Sequence, residues 1–270
     1  MVRHTDTIDL PVGTIAVGVD GSPGAETALQ AAVDTAVAGH CPLTIVHAVD
    51  AAASTQSVLT DARDAAERRA PELDIHLVVR VAHPRDVLVA VSKTAAMVVV
   101  GSRGRGPVLS RLLGSVSLAV IRHAHCPVLV IRPHHPGVVR RGVLVAANGS
   151  QESSQILEFG FQQASLRRLP LTVLHVIEHA GDDAEGHALL VAEAMAGLRE
   201  RHPDVPVRIE MVRGHPDDAV LTAADRMDLL VVGSHRGGPT HRSVTSAVVE
   251  RASCPVAVVP LDTAVPTSTA

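Results

Sequence analysis

Residues 98–117 read VVVGSRGRGPVLSRLLGSVS. Three valines enter a segment with four glycines, three arginines and no acid, which leaves through Gly-Ser into the apolar SVSLAVIRHA. An apolar run with no polar alternation reads as a strand covered on both faces, the kind found in parallel sheets flanked by helices. Strand, glycine loop and helix in that order put the loop at the carboxyl end of a strand, where open α/β sheets take their ligands. Residues 231–246, VVGSHRGGPTHRSVTS, give the same segment a second time in shortened form.

The doubling extends over the chain. TIAVGVDGS (14–22) matches GVLVAANGS (142–150), LTIVHAVD (43–50) matches LTVLHVIE (171–178), VAHPRDVLVAV (81–91) matches RGHPDDAVLTA (213–223), and CPVLVIRP (126–133) matches CPVAVVPL (254–261). Asp20 and Asn148, His47 and His175, and Cys126 and Cys254 are each 128 apart, whereas His83 and His215, and Gly101 and Gly233, are 132 apart. The second copy therefore gains four residues before its His-Pro pair and loses four between Gly233 and Cys254, inside the loop in question. A repeat of this length is a whole domain rather than a solenoid unit.

Each copy alternates strand and helix, which implies a doubly wound parallel sheet of five strands. In the first copy the pattern predicts strands over 14–19, 43–49, 75–81, 97–100 and 127–131, and helices over 25–38, 58–69, 85–94 and 115–123. Residues 1–133 are expected to form one domain and 141–270 the other. The Pro- and Arg-rich 134–140 is the linker between them, and the end after Leu261 a frayed tail.

Composition narrows the function classes. Hydrophobic residues make up 46% of the 270, but aromatic residues only 1%, so the core is aliphatic and no stacking platform for single-stranded nucleic acid is available. A net charge of −4 attracts neither nucleic acid nor an anionic membrane. Lys93 is the sole lysine. Three cysteines, each followed by proline, make no disulfide framework and suit a reducing cytoplasm. The first residues lack the apolar centre of a signal peptide, and no apolar run approaches the length of a membrane span.

The glycine loop has spacing Gly101, Gly104, Gly114-Ser115. It is not a Walker A loop, since Gly-Lys-Ser/Thr is absent, nor GxGxxG, since Leu109 stands where the third glycine would fall. Gly114-Ser115 opens a helix whose free N–H groups and positive dipole end attract phosphate, and Ser115 and Ser117 are candidates to cap it and to donate to phosphate oxygens. Arg103, Arg105 and Arg111 offer guanidinium groups. The residues alone leave two readings open, a phosphate cradle and a plain connector.

G-x2-G-x9-G-S after a VVVG strand, with V-D-G-S ending the first strand, resembles the universal stress protein family, and two such units resemble its tandem members. The resemblance covers both first strands, both LHV-like strands, both His-Pro segments, both VVGS strands and both CPV strands. It implies two five-stranded parallel sheets of order 3-2-1-4-5 and ATP in the first domain, with magnesium as its companion ion. Carried over residue by residue, Asp20 with Val19 would meet the adenine or ribose side, Ala48 would face the adenine, and Val100 and Gly101 would pass under the ribose. Gly104, Gly114, Ser115 and Val116 would wrap the triphosphate, with Ser117 beside them. The family also implies contact between last strands, here within one chain as an internal pseudo-dimer, and further pairing of two chains as a homodimer.

The second copy departs from the pattern. Asp20 becomes Asn148, and Arg242 stands where Gly114 stood, so a degenerate site is expected there, with Arg236, Arg242 and Ser243 as residual anion contacts. The expected function is nucleotide-dependent stress sensing through an unidentified protein partner. The alternatives are an interaction module indifferent to nucleotide and a slow ATPase. A hydrolase of the related adenine-nucleotide folds would need an SGGxDS loop, which is absent, as is GxSxG around Ser22 or Ser150. HAHC (123–126) has metal-like residue types but reads as structural, because its second copy is RASC. His134 and His135 read as solvated linker residues, His47 and His175 as residues that order the strand-two ends, and the His-Pro pairs at 83 and 215 as strand-to-helix turns.

Overall fold

A computed structural model describes residues 8–49, 56–104, 113–132, 141–147, 153–178, 184–235 and 244–261. The first half contains β1 (Ile15–Gly18), α1 (Pro23–Gly39), β2 (Leu43–Val49), α2 (Gln56–Arg69), β3 (Ile75–Val81), α3 (Pro84–Val91), β4 (Met97–Gly101), α4 (Ser115–His123) and β5 (Val128–Ile131). The second half repeats it with β6 (Val143–Ala146), α5 (Ser153–Arg167), β7 (Leu171–Ile177), α6 (Ala184–Arg201), β8 (Val207–Arg213), α7 (Pro216–Ala224), β9 (Leu229–His235), α8 (Val244–Arg251) and β10 (Val256–Leu261). Each half has strand order 3-2-1-4-5, with every neighbouring pair inside it parallel. β5 and β10 then pair antiparallel, Val256 against Val130 and Val258 against Val128, so the two sheets join into one of ten strands. The linker 134–140 and the tail lie outside the described residues.

Local chemistry explains the element ends. Ser22 caps α1, accepting from the Ala25 N–H at 3.2 Å, and Pro23 follows in the first helical turn, where its missing N–H costs nothing. At the other end Gly39 remains helical and His40 takes the left-handed turn at φ 50°, donating back to the Val37 carbonyl. The helix thus ends at the glycine that marks it in the sequence, with the left-handed turn on the residue after it. His83 and His215 are the N-caps of α3 and α7, each before a proline, and the His83 Nδ1 accepts from the Arg85 N–H at 3.3 Å.

Helices cover both faces of the sheet. One face packs α1, α2, α5 and α6 over Val17, Val99, Val145 and Val231; the other packs α3, α4, α7 and α8 over Ala16, Val98, Leu144 and Leu230. The four inner strands β1, β4, β6 and β9 are therefore buried on both sides, which is why they read as unbroken aliphatic runs. Both phenylalanines sit in α5, with Phe161 fully buried.

Candidate functional site

β1 and β2 are locked together where they end. The Val19 N–H donates to the Val46 carbonyl at 2.9 Å, and the buried His47 donates from Nδ1 to the Val19 carbonyl at 2.7 Å. His175 repeats this bond to the Ala147 carbonyl at 3.0 Å. Asp20 starts the turn into α1. Its Oδ1 accepts from the Ser22 N–H at 2.9 Å, and its Oδ2 lies so close to Gly104 that a Cβ there would stand 2.7 Å away. Gly21 carries the turn at φ +77°.

The loop after β4 rests on the start of α1. A Cβ on Gly101 would stand 2.7 Å from the Gly24 carbonyl oxygen, and one on Gly24 would stand 2.6 Å from that of Arg103. The Ser102 N–H donates to the Ile131 carbonyl, and the Gly114 N–H returns to the Ser102 carbonyl, both at 2.9 Å. The excursion between Ser102 and Gly114 is thus pinched shut at its base. Arg105 and Arg111 lie outside the described residues.

Gly114 is the N-cap of α4, with φ −63° and ψ 148° and no side-chain cap bond. The expectation that Ser115 or Ser117 caps this helix is corrected: Ser115 is already helical, and Ser117 donates its hydroxyl to the Gly101 carbonyl at 2.7 Å. The Ser117 hydroxyl thus ties the start of α4 to the end of β4. The first-turn N–H groups of α4 have no acceptor inside the helix.

These pieces enclose a cavity of about 600 Å³. All ten residues singled out in the sequence line it: Val19, Asp20, Ala48, Val100, Gly101, Gly104, Gly114, Ser115, Val116 and Ser117. Sequence reading missed its apolar wall of Val46, Pro84, Leu88, Leu113 and Leu118, and Gly18 below it. Pro84 and Leu88 come from α3, whose inward face depends on how that helix docks. The cavity is apolar toward β2 and α3 and polar toward Asp20, Arg103, Ser115 and the start of α4. A second hollow, of about 670 Å³, lies between α1 and α2 and holds none of the loop residues.

In the metal-like segment HAHC, Ala124 and Cys126 are buried while His123 and His125 are exposed. Cys126 is buried, and desolvation pushes its thiol up to about 12, so it stays protonated. Among the described residues no three His, Cys, Asp or Glu side chains converge.

The second domain keeps the scaffold and alters the loop. Thr245 donates to the Gly233 carbonyl at 2.5 Å, as Ser117 does to Gly101. β9, however, runs on through Ser234 and His235, paired with Pro260 and Leu261, whereas the pairing of β4 with β5 stops at Gly101 and Ile131. A Cβ on Gly233 would meet Ile156 Cδ1 and Leu261 Cδ1 at 2.7 Å, so aliphatic side chains stand close over the end of this strand. Asn148, Ser150, Arg236, Arg242 and Ser243 lie outside the described residues, as do His134 and His135.

The model of the Universal stress protein family matches residues 11–132 and again 140–260. A universal stress protein of Mycobacterium tuberculosis is 33% identical over 282 residues, covering 90% of this chain and 95% of that one. The crystal structure of a universal stress protein from Archaeoglobus fulgidus overlays with a TM-score of 0.67 at 19% identity, covering 92% of this chain and 96% of that one, a likeness of fold. A universal stress protein solved in complex with cAMP is similar to 46% of this chain over 99% of its own, at 23% identity and a TM-score of 0.40. Two matches spanning most of the chain, and a relative alike over nearly its whole length, make this protein a member of the universal stress protein family with two family domains in tandem.

Proposed function

We propose that the first domain binds ATP in the cavity between β1, β4 and α4, and that the protein is a nucleotide-dependent stress sensor acting through protein partners in the cytoplasm. The observation that carries this reading is Gly114. Gly101 and Gly104 lack side chains because Gly24 and Asp20 stand against them. Gly114 has no such reason. Among the described residues a Cβ there would meet nothing nearer than the Ser102 carbonyl oxygen at 3.6 Å, and its φ of −63° suits any residue. A glycine that no described neighbour requires, at a helix start facing a cavity, leaves room for a ligand to approach the backbone.

The volume of the cavity and its lining support this reading. Val46, Ala48 and Leu88 would take the base, Asp20 the ribose side, and Gly104, Gly114, Ser115, Val116 and Arg103 the phosphates. A companion magnesium ion would be held largely by phosphate oxygens and water, with Asp20 the one carboxylate among the lining residues. Among the described residues the lining includes no histidine and no further acid to serve as a general base, which favours sensing over rapid hydrolysis. Ligand bound across the start of α4 and the end of β1 would favour one arrangement of the loop and so alter a surface read by partners.

The continued strand and the aliphatic contacts at Gly233 support a degenerate second site, with residues 1–133 as the binding domain, 134–140 as the linker and 141–270 as the second domain. Calorimetric titration of the whole chain with ATP and magnesium tests this. One nucleotide per chain is expected. No heat and no thermal shift at millimolar ATP would sink the proposal, and two equal sites would sink the assignment of the second domain.

A further inference from the structure

The ten-stranded sheet ends at β3 on one side and β8 on the other, and the two edges are built differently. The Leu43 N–H bonds the Asp74 carbonyl, so the even-numbered residues of β3 turn their peptide groups toward β2. Ile75, Leu77, Val79 and Val81 therefore point their N–H and C=O groups out of the sheet. Arg80 reaches the Val79 carbonyl from that open side, at 2.9 Å. The side chains of the same residues share the α2 face, where Leu77 is 42%, Val79 41% and Val81 69% exposed. Among the described residues no strand covers these outward peptide groups, and only an exposed arginine meets the Val79 carbonyl, so beside a row of exposed aliphatic side chains they make an edge ready for pairing.

β8 is the internal control. The Leu171 N–H bonds the Pro206 carbonyl, so Val207, Ile209, Met211 and Arg213 hold the outward peptide groups. Val207, Ile209 and Met211 are only half-exposed. Glu210 sits at the middle of the strand, ion-paired with Arg208. Two copies of β8 pairing about their midpoint would set Glu210 against Glu210, a like-charge pair in the closer, non-hydrogen-bonded position.

We infer that β3 is the surface through which two copies of this chain associate, strand against strand, antiparallel about a two-fold axis at Val78. This register uses every outward peptide group, the Val79 carbonyl exchanging its Arg80 bond for the Leu77 N–H of the second copy: Ile75 exchanges bonds with Val81 of the second copy, and Leu77 with Val79. On the α2 face each cross-strand pair is then aliphatic. On the other face Arg80 stands opposite His76 of the second copy and diagonal to its Asp74, within reach of a long side chain, and the two-fold axis makes this contact twice. Asp74 already holds His76 of its own chain at 3.0 Å, so Arg80, released from the Val79 carbonyl, would join an existing carboxylate–imidazole pair. The pairing is isologous and closes as a dimer, whereas β3 against β8 of another copy would be heterologous and open-ended.

Sedimentation velocity on the full chain over a concentration series tests the inference. The unaltered protein is expected to be a dimer. Val79→Pro removes one outward N–H, and Leu77→Lys sets a charge on the aliphatic face; each is expected to weaken dimerisation on the order of tenfold or more. Both variants should keep the parent circular dichroism spectrum, and if Val79→Pro misfolds, Leu77→Lys alone decides. Met211→Pro, at the matching position of β8, should leave the dimer intact. Arg80→Glu should weaken the dimer and the added Asp74→Arg restore it. A monomer at all concentrations, a dimer indifferent to folded Leu77→Lys, or polymers that lengthen with concentration would overturn it.

Discussion

The Ser117 hydroxyl donates to the Gly101 carbonyl at 2.7 Å and ties the first turn of α4 to the end of β4. Thr245 makes the same bond to Gly233 in the second domain. The tie is thus a property of the scaffold shared by both copies, whatever their loops do. Ser117→Ala is expected to cost about 1 kcal/mol of stability in denaturant titration and to weaken ATP binding in proportion to the loosened helix start. Ser117→Thr, the residue used in the second copy, should restore both. Equal stability of the alanine variant and the parent would show that the bond contributes nothing.

Two glycines of one loop should fail in different ways. Gly101→Ala forces a Cβ against the Gly24 carbonyl oxygen, a backbone atom that cannot swing aside, and is expected to destabilise the fold by about 1–3 kcal/mol. Gly114→Val meets no such obstacle and should leave the melting temperature close to the parent value while abolishing most ATP binding. Calorimetry and thermal denaturation on both variants separate the two effects. A Gly114→Val protein that binds ATP normally would remove the main support for the nucleotide reading.

Arg132 follows β5 at the seam between the domains, is 8% exposed, and has Nε and Nη2 without a hydrogen-bond partner among the described residues. Burial lowers the basicity of its guanidinium. A buried charge so poorly paired is a cost to the folded state. Arg132→Met, similar in reach and apolar, is expected to raise stability by about 1–3 kcal/mol, read by denaturant titration. A loss of stability instead would show that the guanidinium has a role that its contacts do not reveal.

His175 couples the second domain to pH. Its Nδ1 faces the Ala147 carbonyl, which can only accept, so Nδ1 carries the hydrogen and the neutral Nε2 accepts from His187 Nδ1 at 2.7 Å. Burial, the larger cause, and the neighbouring His187 both lower the folded-state pKa of His175. The unfolded chain, with an imidazole near 6.5, therefore takes up the proton first as pH falls. The stabilisation is complete above about pH 6.5 and is lost below it, as pH falls through the depressed folded value. Denaturant titrations between about pH 8 and 5 should show a decline that His175→Asn reduces. An unchanged slope in that variant would clear His175 of the effect.

Much of this architecture can be read in the sequence because its signals are local. The aliphatic runs at 97–100 and 229–232 announce strands buried on both faces, and the 128-residue recurrence of His47 as His175 marks two copies of one fold. The ten residues singled out for the site come to one cavity because each lies at the end of a strand or the start of a helix, and parallel α/β topology brings such ends to one side of the sheet. The wall of Pro84 and Leu88 could not be read this way, since the face α3 turns inward is set by docking against the sheet. The Ser117 hydroxyl was misassigned for a related reason: helix-start chemistry suggests a cap, but the Gly101 carbonyl, distant in sequence, is the nearer acceptor.

By itself, then, the sequence determined the repeat, the order of strands and helices, and the glycine pattern of the first loop, all of which rest on residue types at short spacing. Tertiary structure alone decided three further matters. The two sheets become one because β5 and β10 pair antiparallel. Gly101 and Gly104 answer to Gly24 and Asp20, while Gly114 has no such close neighbour among the described residues. The second copy straightens where the first turns, because Pro260 and Leu261 extend a ladder that ends at Ile131 in the first domain. Each is a contact between residues far apart in the chain, whose partners are fixed only when the sheet has closed around them.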